Sequence, residues 1–111
     1  MTKKLQERMF QEMAQKDIFR RAQQYAFAYA DNTFERNVYP SPEAIVDLNR
    51  FVEALPESTG DATEILEQLS QYGAPASVAQ TGGRYFGFVN GGVLPIALAA
   101  RWLADFWDQN T

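Results

Sequence analysis

The residues best suited to chemistry lie together near the end of the sequence, in Thr81-Gly-Gly-Arg-Tyr-Phe-Gly-Phe-Val-Asn-Gly-Gly-Val-Leu-Pro95. Three aromatics, one arginine and five glycines share these fifteen residues. Glycine at this density lets backbone approach a ligand or another chain closely, and neighbouring aromatics can wall an apolar pocket. The guanidinium of Arg84, beside Gly82 and Gly83, has the fork geometry that holds a carboxylate in two hydrogen bonds. The same composition suits a glycine-rich turn whose aromatics are simply core, and the residue types leave both readings open. Neither a dinucleotide fingerprint nor the Lys-Ser/Thr ending of a phosphate loop is present.

What is missing narrows the chemistry further. The sequence contains no histidine and no cysteine, which removes the usual general base, the commonest metal ligand, thiolate nucleophiles and disulfides. A self-contained enzyme would have to work with carboxylates, Tyr, Lys or Ser. The pairs Asp105/Asp108 and Glu64/Glu67 have helical spacing, but nothing brings a third ligand to them, so they read as solvated helix faces. Arg20-Arg21 reads as a surface pair, and Tyr25 and Tyr29 as core or interface aromatics. A net charge of −4 gives no electrostatic reason to expect a nucleic-acid partner. With no signal-peptide pattern and no long uncharged apolar run, no membrane partner is expected and the chain reads as soluble and cytoplasmic.

The elements that would position the loop are helices, packed in one small domain at most. Leu5, Met9 and Met13 recur every four residues from Lys3 to about Gln15. Ile18, Ala22, Tyr25, Ala26 and Tyr29 share a face from Ile18 to about Asp31, with Asp17 as cap or first-turn acid, and the two stretches could form one long helix. Ser41-Pro42-Glu43 is a helix start. That helix should run to about Ala54, bury Ile45, Leu48, Phe51, Val52 and Leu55, and stop at Pro56. Asp61 and Glu64 have capping-box spacing for a helix carrying Ile65, Leu66, Leu69 and Tyr72, with Gly73 just past its end. Residues 74–83 suit an irregular connection, and Arg84 to Val89 an aromatic, extended run. Pro95 opens a last helix to about Trp107 with Leu98, Ala99, Trp102, Leu103 and Phe106 on its apolar side. So much apolar surface needs a partner, from the earlier helices or from another domain or subunit.

Gly83-Arg-Tyr-Phe-Gly-Phe-Val-Asn-Gly-Gly-Val-Leu-Pro95, followed by Trp102-Leu-Ala-Asp105 and Trp107-Asp-Gln-Asn110, resembles the N-terminal region of the group II pyridoxal-phosphate-dependent amino-acid decarboxylases. That family includes aromatic-amino-acid and glutamate decarboxylases. Tyr39-Pro-Ser-Pro42 and Leu55-Pro-Glu57 add to the likeness, which spans about Ile18 to Thr111 and is strongest from Gly82 onward. The resemblance implies a mainly α segment of a fold-type I, aspartate aminotransferase-like α/β enzyme whose large domain is absent from this chain. Helices over 1–73 would pack across a homodimer, a substrate-side loop would span 74–93, and a helix over 94–111 would lead to the catalytic domain. Phe88, Val89, Asn90 and Gly91 would lie nearest the amino-acid substrate, supported by Tyr85 and Phe86. Where many relatives carry a His-Pro-type pair this chain has Gly83-Arg84, and a Pro-Thr or Ser-Thr pair is replaced by Asn90-Gly91, so the substrate is not specified.

The family's chemistry belongs to pyridoxal phosphate, which needs a lysine for its aldehyde, an acid for its pyridine nitrogen, donors for its phosphate and a cover for its ring. Lys3, Lys4 and Lys16 are the only lysines, all in a charged N-terminal stretch. The resemblance therefore implies no cofactor bound to this chain alone, no catalytic residue within it, and an isolated chain that self-associates with exchanged or intertwined helices. A reading from another class is a stand-alone helical interaction module that uses its exposed apolar face.

Overall fold

The computed structural model describes residues 2–87 and 92–109, with side chains from residue 4 onward, and among these it contains five α-helices and no strand. α1 (Thr2–Gln15) and α2 (Asp17–Asn32) are separate helices. Lys16 between them is left-handed, with φ 64° and ψ 14°, a conformation that costs a residue with Cβ roughly 1–2 kcal/mol. The reason for the break lies in the phase of the apolar residues. On a straight helix the Leu5, Met9, Met13 stripe and the Ile18, Ala22, Tyr25, Tyr29 stripe would point roughly 170° apart. The break redirects α1 so that Arg8 donates to Thr59 Oγ1 (3.3 Å) and to the Gly60 carbonyl (2.7 Å). Arg20 braces the joint by donating to the Gln15 carbonyl (2.8 Å) and the Asp17 carboxylate (2.9 Å).

α2 is apolar on two sides. Ile18, Ala22, Tyr25 and Tyr29 are half-buried on one side, while Ala26, expected with them, is exposed. On the other side Phe19 and Phe27 reach the last helix.

α3 (Pro42–Asp47) starts where the sequence predicts: Pro42 occupies the first turn and Ser41 Oγ accepts the Ala44 N–H at 3.1 Å. It does not continue to Ala54. The chain tightens into a 3-10 turn, Leu48–Phe51, which carries the Arg50 guanidinium over the Tyr72 ring, 4.6 Å from its centroid. The expected buried stripe is correspondingly open, with Val52 80% and Leu55 91% exposed, and Ala44 is the buried residue of this helix.

α4 (Ala62–Gln68) is capped by Asp61, whose carboxylate accepts from the Thr63 N–H (2.8 Å) and the Glu64 N–H (3.3 Å). Gly73 is not a left-handed terminator. The chain passes through a π turn (Leu69–Gly73) into a 3-10 turn (Ala74–Ala76) with Gly73 at φ −79°. Ser77 ends that turn by donating its N–H (3.1 Å) and hydroxyl (2.7 Å) to the Ala74 carbonyl.

α5 (Pro95–Trp107) opens on Pro95 and ends at Asp108, which is left-handed at φ 48°. Two ring contacts join it to α2: Phe19–Phe106 at 5.0 Å and Phe27–Trp102 at 6.2 Å between centroids. Such pairs contribute roughly 0.5–1.5 kcal/mol each beyond their burial, and every residue of α5 remains exposed.

The helices do not close around a core. Among the described residues only Thr33, Ala44, Ala79, Gly82 and Tyr85 are buried. The radius of gyration is 16.8 Å, against about 13 Å for a compact chain of this length. The accessible surface is 9549 Å², where a compact monomer of this mass exposes roughly 6,200 Å². No helix among the described residues is long and apolar enough to cross a membrane.

Candidate functional site

The first half of the glycine and aromatic loop is built onto the end of α2. Arg36, beyond the last turn of that helix, donates to the carbonyls of Ala74 (3.0 Å), Pro75 (3.3 Å), Ser77 (2.6 Å) and Asn37 (3.4 Å). Its guanidinium also lies over the Tyr29 ring, 5.5 Å from the centroid, and Tyr29 Oη hydrogen-bonds Ser77 Oγ at 2.9 Å. One planar cation thus holds the 3-10 turn and the residue that ends it by their backbone acceptors, together with the Asn37 carbonyl, a task for which a guanidinium has enough donors and an ammonium does not. The Ala79 N–H then donates to the Val38 carbonyl at 2.8 Å.

Two glycines are required by space. A Cβ at Gly82 would stand 2.7 Å from the Thr33 carbonyl oxygen and 2.9 Å from Thr33 Cγ2, so the loop crosses α2's end at backbone-to-backbone distance. A Cβ at Gly87 would meet Tyr85 Oη at 2.4 Å. Gly83 turns the chain at φ 85°, a conformation in which a side chain is strained. Tyr85 is buried at 7% exposure with its ring edge-on to Tyr39 at 6.3 Å. Among the described residues the buried Thr33 Oγ1 has no hydrogen-bond partner.

The predicted site residues separate accordingly. Tyr85 is part of the packed base of the loop, Phe86 projects outward at 90% exposure, and Arg84 is exposed with Nη2 donating to the Arg36 carbonyl. Phe88, Val89, Asn90 and Gly91 lie outside the described residues. Arg36, Thr33 and the backbone crossing at Gly82 are the features that reading the sequence missed. Local sequence carries no signal for Arg36, because the backbone carbonyls it gathers lie about forty residues further along the chain.

Two cavities adjoin these elements. One of about 420 Å³ lies between the end of α2, residues 36–41 and residues 70–75, and presents Tyr25, Tyr29, Asn32, Tyr39, Ser41 and Ser70. The other, about 380 Å³, is the apolar groove between α2 and α5, walled by Phe19, Ala22, Ala26, Trp102 and Phe106 with Lys16 and Arg20 at its edge.

Lys4 lines a cavity of about 640 Å³ with Arg8, Glu57, Ser58 and Thr59, and Lys16 stands at the edge of the groove between α2 and α5. Lys4 and Lys16 are exposed, and the ammonium of Lys16 donates to the Ala14 carbonyl at 3.3 Å. The groove beside Lys16 is lined by no carboxylate that could pair with a pyridine nitrogen, and Arg20 is engaged at the α1–α2 joint. The side chain of Lys3 lies outside the described residues. Among the described residues no group of three or more metal-ligating side chains comes together. Comparison with family models, curated proteins and solved structures finds no match to this chain.

Proposed function

We propose that this chain is a helical N-terminal segment of a pyridoxal-phosphate-dependent amino-acid decarboxylase, contributing dimer contacts and one wall of the substrate site and inactive alone. The carrying observation is the loop Arg84 to Pro95, whose sequence resembles that family. Its base is held against the end of α2 by Arg36, Gly82 and Tyr85. The surface left open by the helices supports the same reading, since a segment that works against a larger domain has no need of its own core. The lysine, the pyridine-pairing acid and the ring cover would lie on that domain.

The test is the coding DNA around this sequence and the product it encodes. A continuation carrying a histidine and a lysine segment, whose product releases carbon dioxide from an amino acid, is the expected result. In that product Tyr85→Ala should raise KM more than it lowers kcat, because it loosens the loop without touching the lysine. A reading frame with no such continuation contradicts the proposal. The open apolar surface equally favours a helical interaction module, and that result would leave the module standing.

A further inference from the structure

We propose that the groove between α2 and α5 binds one free single-chain fatty carboxylate, its acyl chain between the helices and its carboxylate at Lys16 and Arg20. The proposal goes beyond the decarboxylase reading and does not rest on it. Phe19 meets Phe106 and Phe27 meets Trp102, so the two helices run antiparallel. The groove between them measures about 380 Å³, with Phe19, Ala22, Ala26, Trp102 and Phe106 as its apolar wall. Gln23 also lines it, and among the described residues no carboxylate does.

Three properties select this ligand. Positive charge lies at one end: Lys16 and Arg20 stand at the first turn of α2, while Ala26 lies further along the helix. Both cations keep donors for a carboxylate. Arg20 uses Nη1 for the Gln15 carbonyl and for Asp17, leaving Nε and Nη2 open among the described residues, and Lys16 donates to the Ala14 carbonyl alone. The groove is also narrow. From Lys16 to Ala26 α2 advances roughly 15 Å, and 380 Å³ over that length is a section of roughly 25 Å², about a third of that of a helix. An acyl chain fits this section and brings no backbone polar groups, which an extended peptide would leave unpaired against an apolar wall.

Trp107→Phe leaves Trp102 as the single tryptophan of the chain, so its emission reports the groove. Titration of that variant with decanoate should give a saturable blue shift at one equivalent. Octanoate should bind roughly tenfold more weakly, the loss expected for two buried methylenes. Lys16→Asn with Arg20→Gln should weaken decanoate about three- to tenfold and leave decanol unchanged. Asparagine tolerates the left-handed backbone at position 16, and circular dichroism checks that helicity is kept. Ala26→Phe fills the groove from an exposed helix position and should remove the response. The proposal is overturned by the absence of a saturable response, by equal binding of octanoate and decanoate, or by decanoate binding that survives Ala26→Phe or ignores the charge change. Trp102 emission that shifts with protein concentration alone, with decanoate unable to compete, would give the groove to a second copy and equally overturn it.

Discussion

Gly82 is the residue at which the loop depends most directly on the helices. A methyl group there meets the backbone of Thr33 rather than a flexible side chain, so Gly82→Ala should cost about 1–3 kcal/mol in urea unfolding, in the range of overpacked sites. Gly92→Ala is the control, because none of the described residues lies within 4 Å of the added carbon, and it should change stability by less than about 0.5 kcal/mol. The glycine pattern was legible in the sequence as a place of close backbone approach, but which glycine, and against what, was not. That depends on a contact across some fifty positions of chain, and local spacing carries no record of it. Thr33 belongs to the same contact. Its buried hydroxyl is unpaired among the described residues, and since an orphaned buried group costs roughly 1–3 kcal/mol, Thr33→Val should be neutral or stabilising by thermal unfolding. A loss above about 1 kcal/mol would mean that the hydroxyl has a partner.

At the scale of elements, the helix starts and the ends of α1, α2 and α5 were readable, and the ends of α3 and α4 were not. Ser41 and Asp61 are caps whose partners sit two or three residues away, so local sequence determines them. Removing either by Ser41→Ala or Asp61→Ala should cost about 1 kcal/mol. The caps serve different helices, so the double variant should lose close to the sum. The end of α3 depends instead on distant residues: Arg50 leaves helical register to lie over Tyr72, a contact invisible to a helical period. The same holds for Gly73, which the π turn absorbs without a left-handed bend. Arg36 is the strongest case. It bonds the carbonyls of Ala74, Pro75 and Ser77, and side-chain type does not reveal a role defined by backbone acceptors. Arg36→Lys keeps the charge and loses the fork, so it should destabilise the chain by roughly 1.5–3 kcal/mol, most visibly as faster amide exchange at Ala79, whose N–H bonds the Val38 carbonyl.

The whole molecule follows from amphipathic helices that outnumber the surfaces available to cover them. α2 is apolar on both sides, α5 on more than half its circumference, and α1 leans on the rest through Arg8. The mainly helical character and the surplus of apolar surface were both readable from composition and period; the break at Lys16 and the open arrangement required three dimensions. With so little area buried, the urea m-value of the monomeric state should lie near the bottom of the roughly 1–3 kcal/mol per molar range of small domains. The claim beneath the functional proposal is that this chain can shape a substrate wall but cannot anchor the coenzyme. Titration of the purified chain with pyridoxal phosphate, followed by borohydride reduction and mass spectrometry, tests it most directly. The expected result is no stoichiometric adduct on Lys3, Lys4 or Lys16; one equivalent of reduced coenzyme on any of these lysines, in a chain that releases carbon dioxide from an amino acid unaided, would contradict it.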